Sequence, residues 1–240
     1  MTLKRITAVA VAALGAVALV ACGNGSADSG RTQYEAEGDR AKGSTDAPVT
    51  MIEYASVACG GCAQWHALAM PTVDEYIESG DVRYVFREML TGQPQLAIAG
   101  FMLARCAPED RYFDVIDVLF EQQRAIFTAM QQGQAQTQFQ QIARTLGFSN
   151  EEFRQCMSDR DILAEVQAAN EAATEAGVGS TPTFFFNGVR IEPVPNPDGS
   201  GQAYGANGEA LVDDQGPIPA TFEGETFERI ILYFKNRAEE

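Results

Sequence analysis

The alternation of apolar and polar residues divides the chain into short segments of regular structure. Residues 49–56 form a mainly apolar run of β-favouring residues, which predicts a strand buried on both faces. Apolar residues then recur at helical spacing from Trp65 to Ser79, and Pro71 should kink or restart that helix. Residues 82–87 alternate like a second strand. The order strand, helix, strand predicts the opening of an α/β domain.

The middle of the chain has a helical pattern without strand periodicity. This pattern extends from about residue 95 to residue 176. Within it, Ser149 and Glu152 have the spacing of a capping box, which predicts a helix start, and Gly177 predicts the end of the last helix. The sequence therefore predicts an all-helical subdomain that is inserted between strands.

Strand periodicity returns after the helical segment. Residues 183–186 and 189–191 predict two strands that are joined by the hairpin turn signal Asn187-Gly188. Residues 192–220 are rich in Pro, Gly, Asn and Asp, and they predict an irregular surface loop, either a partner surface or a tolerated insertion. Residues 227–234 carry apolar residues on one face of a closing helix. The fold class predicted from these elements is α/β with a helical insertion.

The N-terminus has the composition of an export signal. Lys4 and Arg5 precede an uncharged apolar stretch at 6–20, which is too short to span a bilayer comfortably but has the length of a signal peptide. The stretch ends in Leu19-Val20-Ala21-Cys22, which resembles a bacterial lipobox, so we expect the cysteine to carry a lipid. An ordinary secretory signal that is cleaved nearby is the alternative. Both interpretations place the mature protein outside the cytoplasm, where disulfides persist.

The composition of the segment after the signal predicts a flexible tether. It is rich in Gly, Ser, Asp and Glu and has almost no bulky apolar residue. The 240 residues carry a formal charge of −16, which argues against a nucleic-acid partner because such a partner requires a basic face. The predicted organisation is a signal peptide at 1–21, a tether at 22–45, an α/β domain at 46–94 and 177–240, and a helical subdomain at 95–176.

The candidate chemistry lies at Cys59-Gly60-Gly61-Cys62, directly after the first predicted strand. A CxxC pair is typical of half a zinc site or of a redox-active disulfide. A zinc site needs a second pair of ligands, but Cys106 and Cys156 stand singly and the chain has one histidine, His66. The strand–turn–helix context favours the redox disulfide, because a helix N-terminus stabilises a thiolate. The sequence therefore predicts that Cys59 is the exposed attacking thiol and Cys62 the resolving thiol.

Glu53 is a carboxylate in the middle of an apolar strand. Burial of an ionised carboxylate is costly, so the residue should have a raised pKa or a partner. We expect Glu53 to exchange a proton with Cys62; a solvated glutamate at a sheet edge is the alternative. His66 follows Cys62 by one helical turn, but a lone histidine on an amphipathic helix is more often a packed or surface residue, and it is left out of the catalytic set.

Two further cysteines, Cys106 and Cys156, are on apolar helix faces in the predicted insertion. Buried free thiols are common, which is one interpretation. An oxidising compartment and an even number of cysteines in the mature domain favour a structural disulfide between them.

The quoted residues, taken together, resemble the DsbA family of thiol:disulfide oxidoreductases in the thioredoxin superfamily. The matching segments are 52–56, 59–66, 85–88 and 177–188, and the helical insertion also matches. The resemblance implies a thioredoxin-like fold in which a cis Thr181–Pro182 bond brings the Thr181 backbone beside Cys59, where a substrate chain would pair with it. It also implies that Glu53 is the buried acid beneath the active site.

The resemblance implies a function as well. We expect a thiol:disulfide oxidoreductase that acts on cysteine-containing exported proteins, most simply as a dithiol oxidase, with a membrane redox partner and with no metal or organic cofactor. The expected location is extracytoplasmic, with a lipid anchor at Cys22 in the outer membrane. Many members have Pro-His where this chain has Gly60-Gly61, so a reductase or a disulfide isomerase is the nearest alternative. A non-catalytic peptide-binding chaperone is an alternative from another class.

Overall fold

A seven-stranded mixed sheet forms the centre of the described part of the chain, residues 31–238 of this computed structural model. Its strands are β1 (Arg40–Lys42), β2 (Val49–Ala55), β3 (Val82–Glu88), β4 (Thr183–Phe186), β5 (Val189–Pro195), β6 (Gln202–Ala206) and β7 (Glu209–Ala210). The strand order is β1-β3-β2-β4-β5-β6-β7, with β2 parallel to β3 and antiparallel to β4. Every residue of β2 is buried, as the apolar run predicts for a central strand. A separate two-stranded sheet pairs β8 (Val212–Asp213) with β9 (Gly216–Pro217).

The helices lie in three positions along the chain, one group after each of β2, β3 and β9. Their bounds are α1 (Gly60–Leu68), α2 (Met70–Glu78), α3 (Pro94–Cys106), α4 (Tyr112–Glu121), α5 (Gln123–Gln131), α6 (Ala135–Thr145), α7 (Asn150–Ser158), α8 (Arg160–Glu175) and α9 (Gly224–Ala238). The predicted restart at Pro71 occurs, because α1 ends at Leu68 and the proline occupies the second position of α2, where its missing N–H costs nothing. The helices α3 to α8 form the insertion between β3 and β4, so the α/β fold class with a helical insertion is confirmed.

The core joins the sheet to helices from both parts of the chain. Trp65 of α1 is fully buried, and its ring contacts Tyr84 of β3, Phe184 of β4 and Phe227 of α9. Such aromatic contacts add to the hydrophobic effect of burial. The helix that follows the CxxC pair is thereby fixed to the sheet on its inner face.

The prediction of a flexible tether at 22–45 is wrong for residues 31–45. In this part of the chain, β1 pairs antiparallel with β3 and covers one edge of the sheet. The acidic residues, which suggested a solvated segment, are ion-pair partners of β3: Glu35 lies 3.0 Å from Arg83 and Asp39 lies 2.7 Å from Arg87. Composition missed this because the partners lie far away in sequence. The signal peptide at 1–21 and Cys22 lie outside the described residues.

The prediction of an irregular surface loop at 192–220 is also wrong. This stretch continues β5 to Pro195 and contains the strands from β6 to β9. The prolines of β5 are exposed. The strands are held by a few buried apolar side chains, which a composition dominated by turn-forming residues does not reveal. These buried anchors are Val194, Ala203, Tyr204, Leu211 and Ile218.

Cys106 and Cys156 are joined by a disulfide with an S–S distance of 2.10 Å. Cys106 ends α3 and Cys156 lies in α7, so the bond crosses the helical insertion. Within residues 31–238, no helix has both the length and the apolar character that crossing a membrane would demand.

Candidate active site

The turn between β2 and α1 presents Cys59 at the start of the helix. The Cys59 amide donates to the Ser56 carbonyl at 2.9 Å, which closes the turn. Cys59 is the N-cap of α1, and its Sγ accepts a hydrogen bond from the Cys62 amide at 3.4 Å. Gly60 and Gly61 complete the first turn of the helix, so the sulfur lies over unpaired backbone N–H groups. This position favours a negative charge on Cys59.

The two thiols differ sharply in their pKa values. The pKa of Cys59 falls to about 6, chiefly because the Cys62 thiol hydrogen-bonds to the Cys59 sulfur. Burial opposes this decrease. Hydrogen bonds from the Thr181 side chain and from the amides of Cys62 and Gly61 lower the pKa further. The pKa of Cys62 rises far above its usual range because the residue is buried, because it shares its proton with Cys59, and because Glu53 carries a nearby negative charge. At neutral pH, Cys59 is therefore mainly a thiolate and Cys62 a thiol.

The Thr181–Pro182 peptide bond is cis and lies against the cysteine pair. The Cys59 Sγ is 3.3 Å from the Thr181 carbonyl oxygen, and a Cβ built on Gly61 would lie 3.4 Å from Pro182 Cδ. The hydroxyls of Thr181 and Thr91 are 2.5 Å apart, which links this loop to the segment that follows β3. The structure thus brings together four of the residues that the sequence singled out: Cys59, Cys62, Thr181 and Pro182.

Glu53 is completely buried beneath this site. Its Oε2 accepts a hydrogen bond from the Tyr84 hydroxyl at 2.5 Å and lies 3.1 Å from His66 Nε2. Its Oε1 has no hydrogen-bond partner among the described residues. The alternative of a solvated glutamate at a sheet edge is excluded, because β2 is flanked by strands on both sides.

Sequence reasoning missed three residues that contact either Glu53 or the backbone beside Cys59. His66 lies one turn after Cys62 on the same face of α1, and that i, i+4 spacing was a usable signal. Tyr84 carries no such signal, because the pairing of β2 with β3 alone brings it to Glu53. Gln123 of α5 also carries none; its amide donates to the carbonyls of Val57 at 2.8 Å and Cys59 at 3.0 Å.

The arrangement has the parts that thiol–disulfide exchange requires. An ionised, partly exposed thiol provides a nucleophile, a buried thiol lies within reach of it, and a carboxylate is close to the buried thiol. Within residues 31–238, no three His, Cys, Asp or Glu side chains converge as a metal site would need.

Comparisons with known proteins agree with this geometry. Residues 35–203 match the family model described as Thioredoxin. A Rickettsia bellii protein named as a protein-disulfide oxidoreductase is 30% identical over 160 residues, which are 65% of this chain and 60% of the relative. The chain thus spans less than two thirds of the length of that relative.

Solved structures extend the comparison to the fold. The Wolbachia pipientis alpha-DsbA1 structure is 22% identical, with a TM-score of 0.65 over 86% of this chain and 96% of that chain. A protein-disulfide isomerase from Novosphingobium aromaticivorans is 14% identical, with a TM-score of 0.61 over 86% of this chain and 100% of that chain. The protein therefore has the fold of the DsbA proteins and belongs to the thioredoxin family.

Proposed function

We propose that the protein is a thiol:disulfide oxidoreductase that oxidises dithiols in exported proteins. The observation that carries the proposal is the asymmetry of the cysteine pair: Cys59 is partly exposed with a pKa of about 6, and Cys62 is buried with a raised pKa. This asymmetry makes Cys59 the sulfur that meets the substrate and Cys62 the sulfur that opens or closes the ring.

The reaction begins with the Cys59–Cys62 disulfide. A substrate thiolate attacks Cys59 Sγ, and the ring opens as Cys62 leaves with the electron pair and takes up a proton, which Glu53 supplies. A second substrate thiolate then attacks the substrate sulfur of the mixed disulfide and releases Cys59 as a thiolate. Two electrons pass from the substrate to the protein, and the low pKa of Cys59 makes it a good leaving group.

The substrate-binding role belongs to Thr181 and Pro182. The Thr181 carbonyl lies 3.3 Å from Cys59 Sγ, and β4 begins two residues later at Thr183. An extended substrate segment that pairs with the Thr181 backbone would hold its cysteine at the correct distance from Cys59. Cys106 and Cys156 contribute the structural disulfide of the insertion.

The oxidising direction follows from the stabilised thiolate. Stabilising Cys59 as a thiolate stabilises the reduced protein, which raises the reduction potential. A pKa of about 6 lies between the values of roughly 7 for thioredoxin and 3.5 for DsbA. The expected reduction potential therefore lies between about −270 and −120 mV. Reductase or isomerase action is the second candidate, because Gly60 and Gly61 supply no side chain to stabilise the thiolate.

A trapping experiment tests the exchange reaction. The Cys62→Ser variant should accumulate covalent adducts with exported proteins that contain a disulfide. Cys59 attacks the substrate disulfide and expels one substrate thiolate, and a hydroxyl in place of the resolving thiol cannot open the mixed disulfide that remains. The matched control is Cys59→Ser, which should trap nothing. A non-catalytic peptide-binding protein would give no adduct with either variant. The reduction potential of the wild-type pair, measured against glutathione, then separates an oxidase from a reductase.

The proposed location is extracytoplasmic, with a lipid on Cys22 that holds the protein at the outer membrane and a membrane redox partner that reoxidises it. The support is the signal-like N-terminal sequence, together with the redox chemistry that such a compartment permits. Replacing Cys22 with Ala should release the protein from the membrane fraction without changing its exchange activity. A mature wild-type N-terminus whose measured mass includes no lipid would contradict the anchor.

A further inference from the structure

We propose that His66 carries the proton between Glu53 and a cavity that borders α1, α2 and α4. This inference rests on the proposed function and assigns a route for the proton that the exchange reaction must move. The cavity has a volume of about 430 Å³, and His66 lines it together with Met70, Pro71, Asp74, Asp117 and Phe120. The same imidazole lies 3.1 Å from Glu53, so it joins the buried carboxylate to the cavity.

Glu53 needs such a route because its other contacts lead deeper into the core. The side chain is completely buried, and so is Tyr84, the hydroxyl of which donates to Oε2. Oε1 has no partner among the described residues and is free to take the proton of a thiol. Among the hydrogen-bond contacts described for Glu53, His66 is the residue that also reaches the cavity.

The packing around His66 fixes its orientation. The imidazole stacks on Phe120 of α4 with a centroid distance of 4.0 Å and meets the edge of Trp65 at 4.9 Å. Only 9% of the residue is exposed. Packing against these two aromatic rings restricts the imidazole, which keeps one nitrogen at Glu53.

The charged groups on the cavity side can accept a proton from the imidazole. Asp117 of α4 lines the cavity, and burial raises its pKa. Asp74 of α2 also lines the cavity and lies 2.7 Å from the ammonium of Lys42, while Glu121 lines the same cavity from α4. On the opposite side of His66, the titratable groups are Glu53 of β2 and Tyr84 of β3, with Cys62 beyond them.

The proton step balances in the ring-closing direction. Cys62 gives its proton to Glu53 Oε1, and the resulting thiolate attacks Cys59 Sγ in the mixed disulfide and expels the substrate thiolate. The carboxyl group of Glu53 then passes a proton to His66 Nε2, which lies 3.1 Å from Oε2, and the other ring nitrogen of His66 releases a proton to the cavity. One proton enters at Oε1 and one leaves at His66, with no net change in the relay. His66 acts through Glu53 and is therefore a positioning residue.

Oxidised glutathione tests the proposal in one experiment with two measured steps. Reduced protein is mixed with oxidised glutathione, quenched with acid at set times, and analysed by mass spectrometry. Attack by Cys59 forms a glutathione adduct, and closure by Cys62 removes it. His66→Gln keeps an N–H donor near Glu53 but cannot relay a proton. We expect this variant to close the ring at least tenfold more slowly, while attack by Cys59 changes less than twofold. General acid–base groups typically contribute larger factors, about 10² to 10⁴.

A second variant and a control separate the relay from a structural role. His66→Ala opens space beside the cavity, so imidazole added to the buffer should restore the closure rate of this variant but not that of His66→Gln. Gln64→Ala is the control, because Gln64 is exposed on the same helix, and its rates should equal those of the wild type.

The outcomes distinguish the inference from the proposed function. If wild-type protein forms no adduct, the exchange function itself fails. If adducts form but His66→Gln closes the ring at the wild-type rate, the relay is overturned. The relay is also overturned if closure by His66→Ala is slow but insensitive to imidazole, because that result would show a packing role.

Discussion

The Cys59–Cys62 pair and the Cys106–Cys156 pair lie in different surroundings within one chain. The first spans a single helical turn at the end of a strand, beside a polar loop and above a buried carboxylate. The second joins two helices across a sequence separation of 50 residues, and its Cys156 is buried. A short ring constrains the unfolded chain little, whereas a long one constrains it strongly. The comparison indicates that the first pair is built for exchange and the second for stability.

Replacing Cys59 in the first pair, and both cysteines of the second pair, should break the comparison most clearly. We expect Cys59→Ser to lose at least about 10³-fold in the rate of disulfide exchange, because a hydroxyl cannot replace the thiolate nucleophile. The double variant Cys106→Ser/Cys156→Ser should retain the wild-type rate within about twofold. Stopped-flow oxidation of a dithiol peptide measures both. Equal losses in the two variants would show that the pairs are not separate in function.

The double variant should instead lose stability. The loop-entropy model assigns about 4 kcal/mol to a disulfide that closes a loop of this length. Urea denaturation of oxidised wild type and of the double variant, with Cys59 and Cys62 in the same redox state, measures the difference in the free energy of unfolding. A loss below about 1 kcal/mol would mean that the helices of the insertion hold together without the bond.

The sequence identified the cysteine chemistry better than it identified the surrounding structure. The CxxC pair is a local pattern, so Cys59 and Cys62 could be found by inspection, whereas Thr181 and Pro182 were singled out only through the resemblance to the DsbA family. β1 could not, because the acidic residues Glu35 and Asp39 are stabilised by arginines on a strand that lies 48 residues further along the chain. A rule based on composition predicts that such residues are solvated, because composition does not identify their ion-pair partners.

The same reason explains the errors at the other edge of the sheet and beneath the site. Residues 192–220 have few buried apolar residues among many Pro and Gly residues. The positions of these apolar residues fit strands only once β5 is paired with β6. Tyr84 reaches Glu53 through the register of β2 and β3, which brings together residues that are 31 apart in sequence. His66 was within reach of a helical-spacing argument, but its partner Glu53 lies on another element. Pairings between elements therefore account for most of what was missed.

The pH dependence of the reduction potential sharpens the comparison further. Below pH 6 both active-site thiols are protonated, so reduction takes up two protons and the potential should fall by about 59 mV per pH unit. Above pH 6 Cys59 stays ionised, and the slope should halve to about 30 mV per pH unit. Glutathione titrations from about pH 5 to about pH 10 locate the break, because this range includes the ordinary thiol pKa of about 8.5. A break near 8.5, the value of an ordinary thiol, would refute the stabilised thiolate.

The same shift gives the sign of a stability change. The pKa of Cys59 is lower in the folded protein than in an unfolded chain, so the thiolate stabilises the reduced fold fully above about pH 8.5. This contribution declines as the pH falls from about 8.5 to 6 and is absent below pH 6. Denaturation of the reduced protein should therefore show a larger loss on acidification through this range than denaturation of Cys59→Ser, which has no such thiolate.

Gly61 offers the smallest and most specific test of what sets the active pair apart. A Cβ at this position would lie 3.4 Å from Pro182 Cδ and 3.8 Å from Cys59 Sγ, which are ordinary contacts, so a side chain fits there. Gly61→His would bring an imidazolium close to the Cys59 thiolate and should lower the pKa of Cys59 by about one unit. A tenfold shift in a two-electron couple is about 30 mV, so the potential at pH 7 should rise by about that amount.

The control for this prediction is Gly61→Ala, which adds the Cβ without the charge and should leave the pKa of Cys59 at about 6. Thiolate absorbance at 240 nm, followed against pH, measures the pKa in each variant. If both variants lower the pKa equally, the side-chain charge is not the cause and the backbone of the first helical turn is. If neither variant lowers the pKa, the backbone amides beside the two glycines already stabilise the thiolate as far as this site permits. The difference between the two cysteine pairs then rests on the helix N-terminus alone.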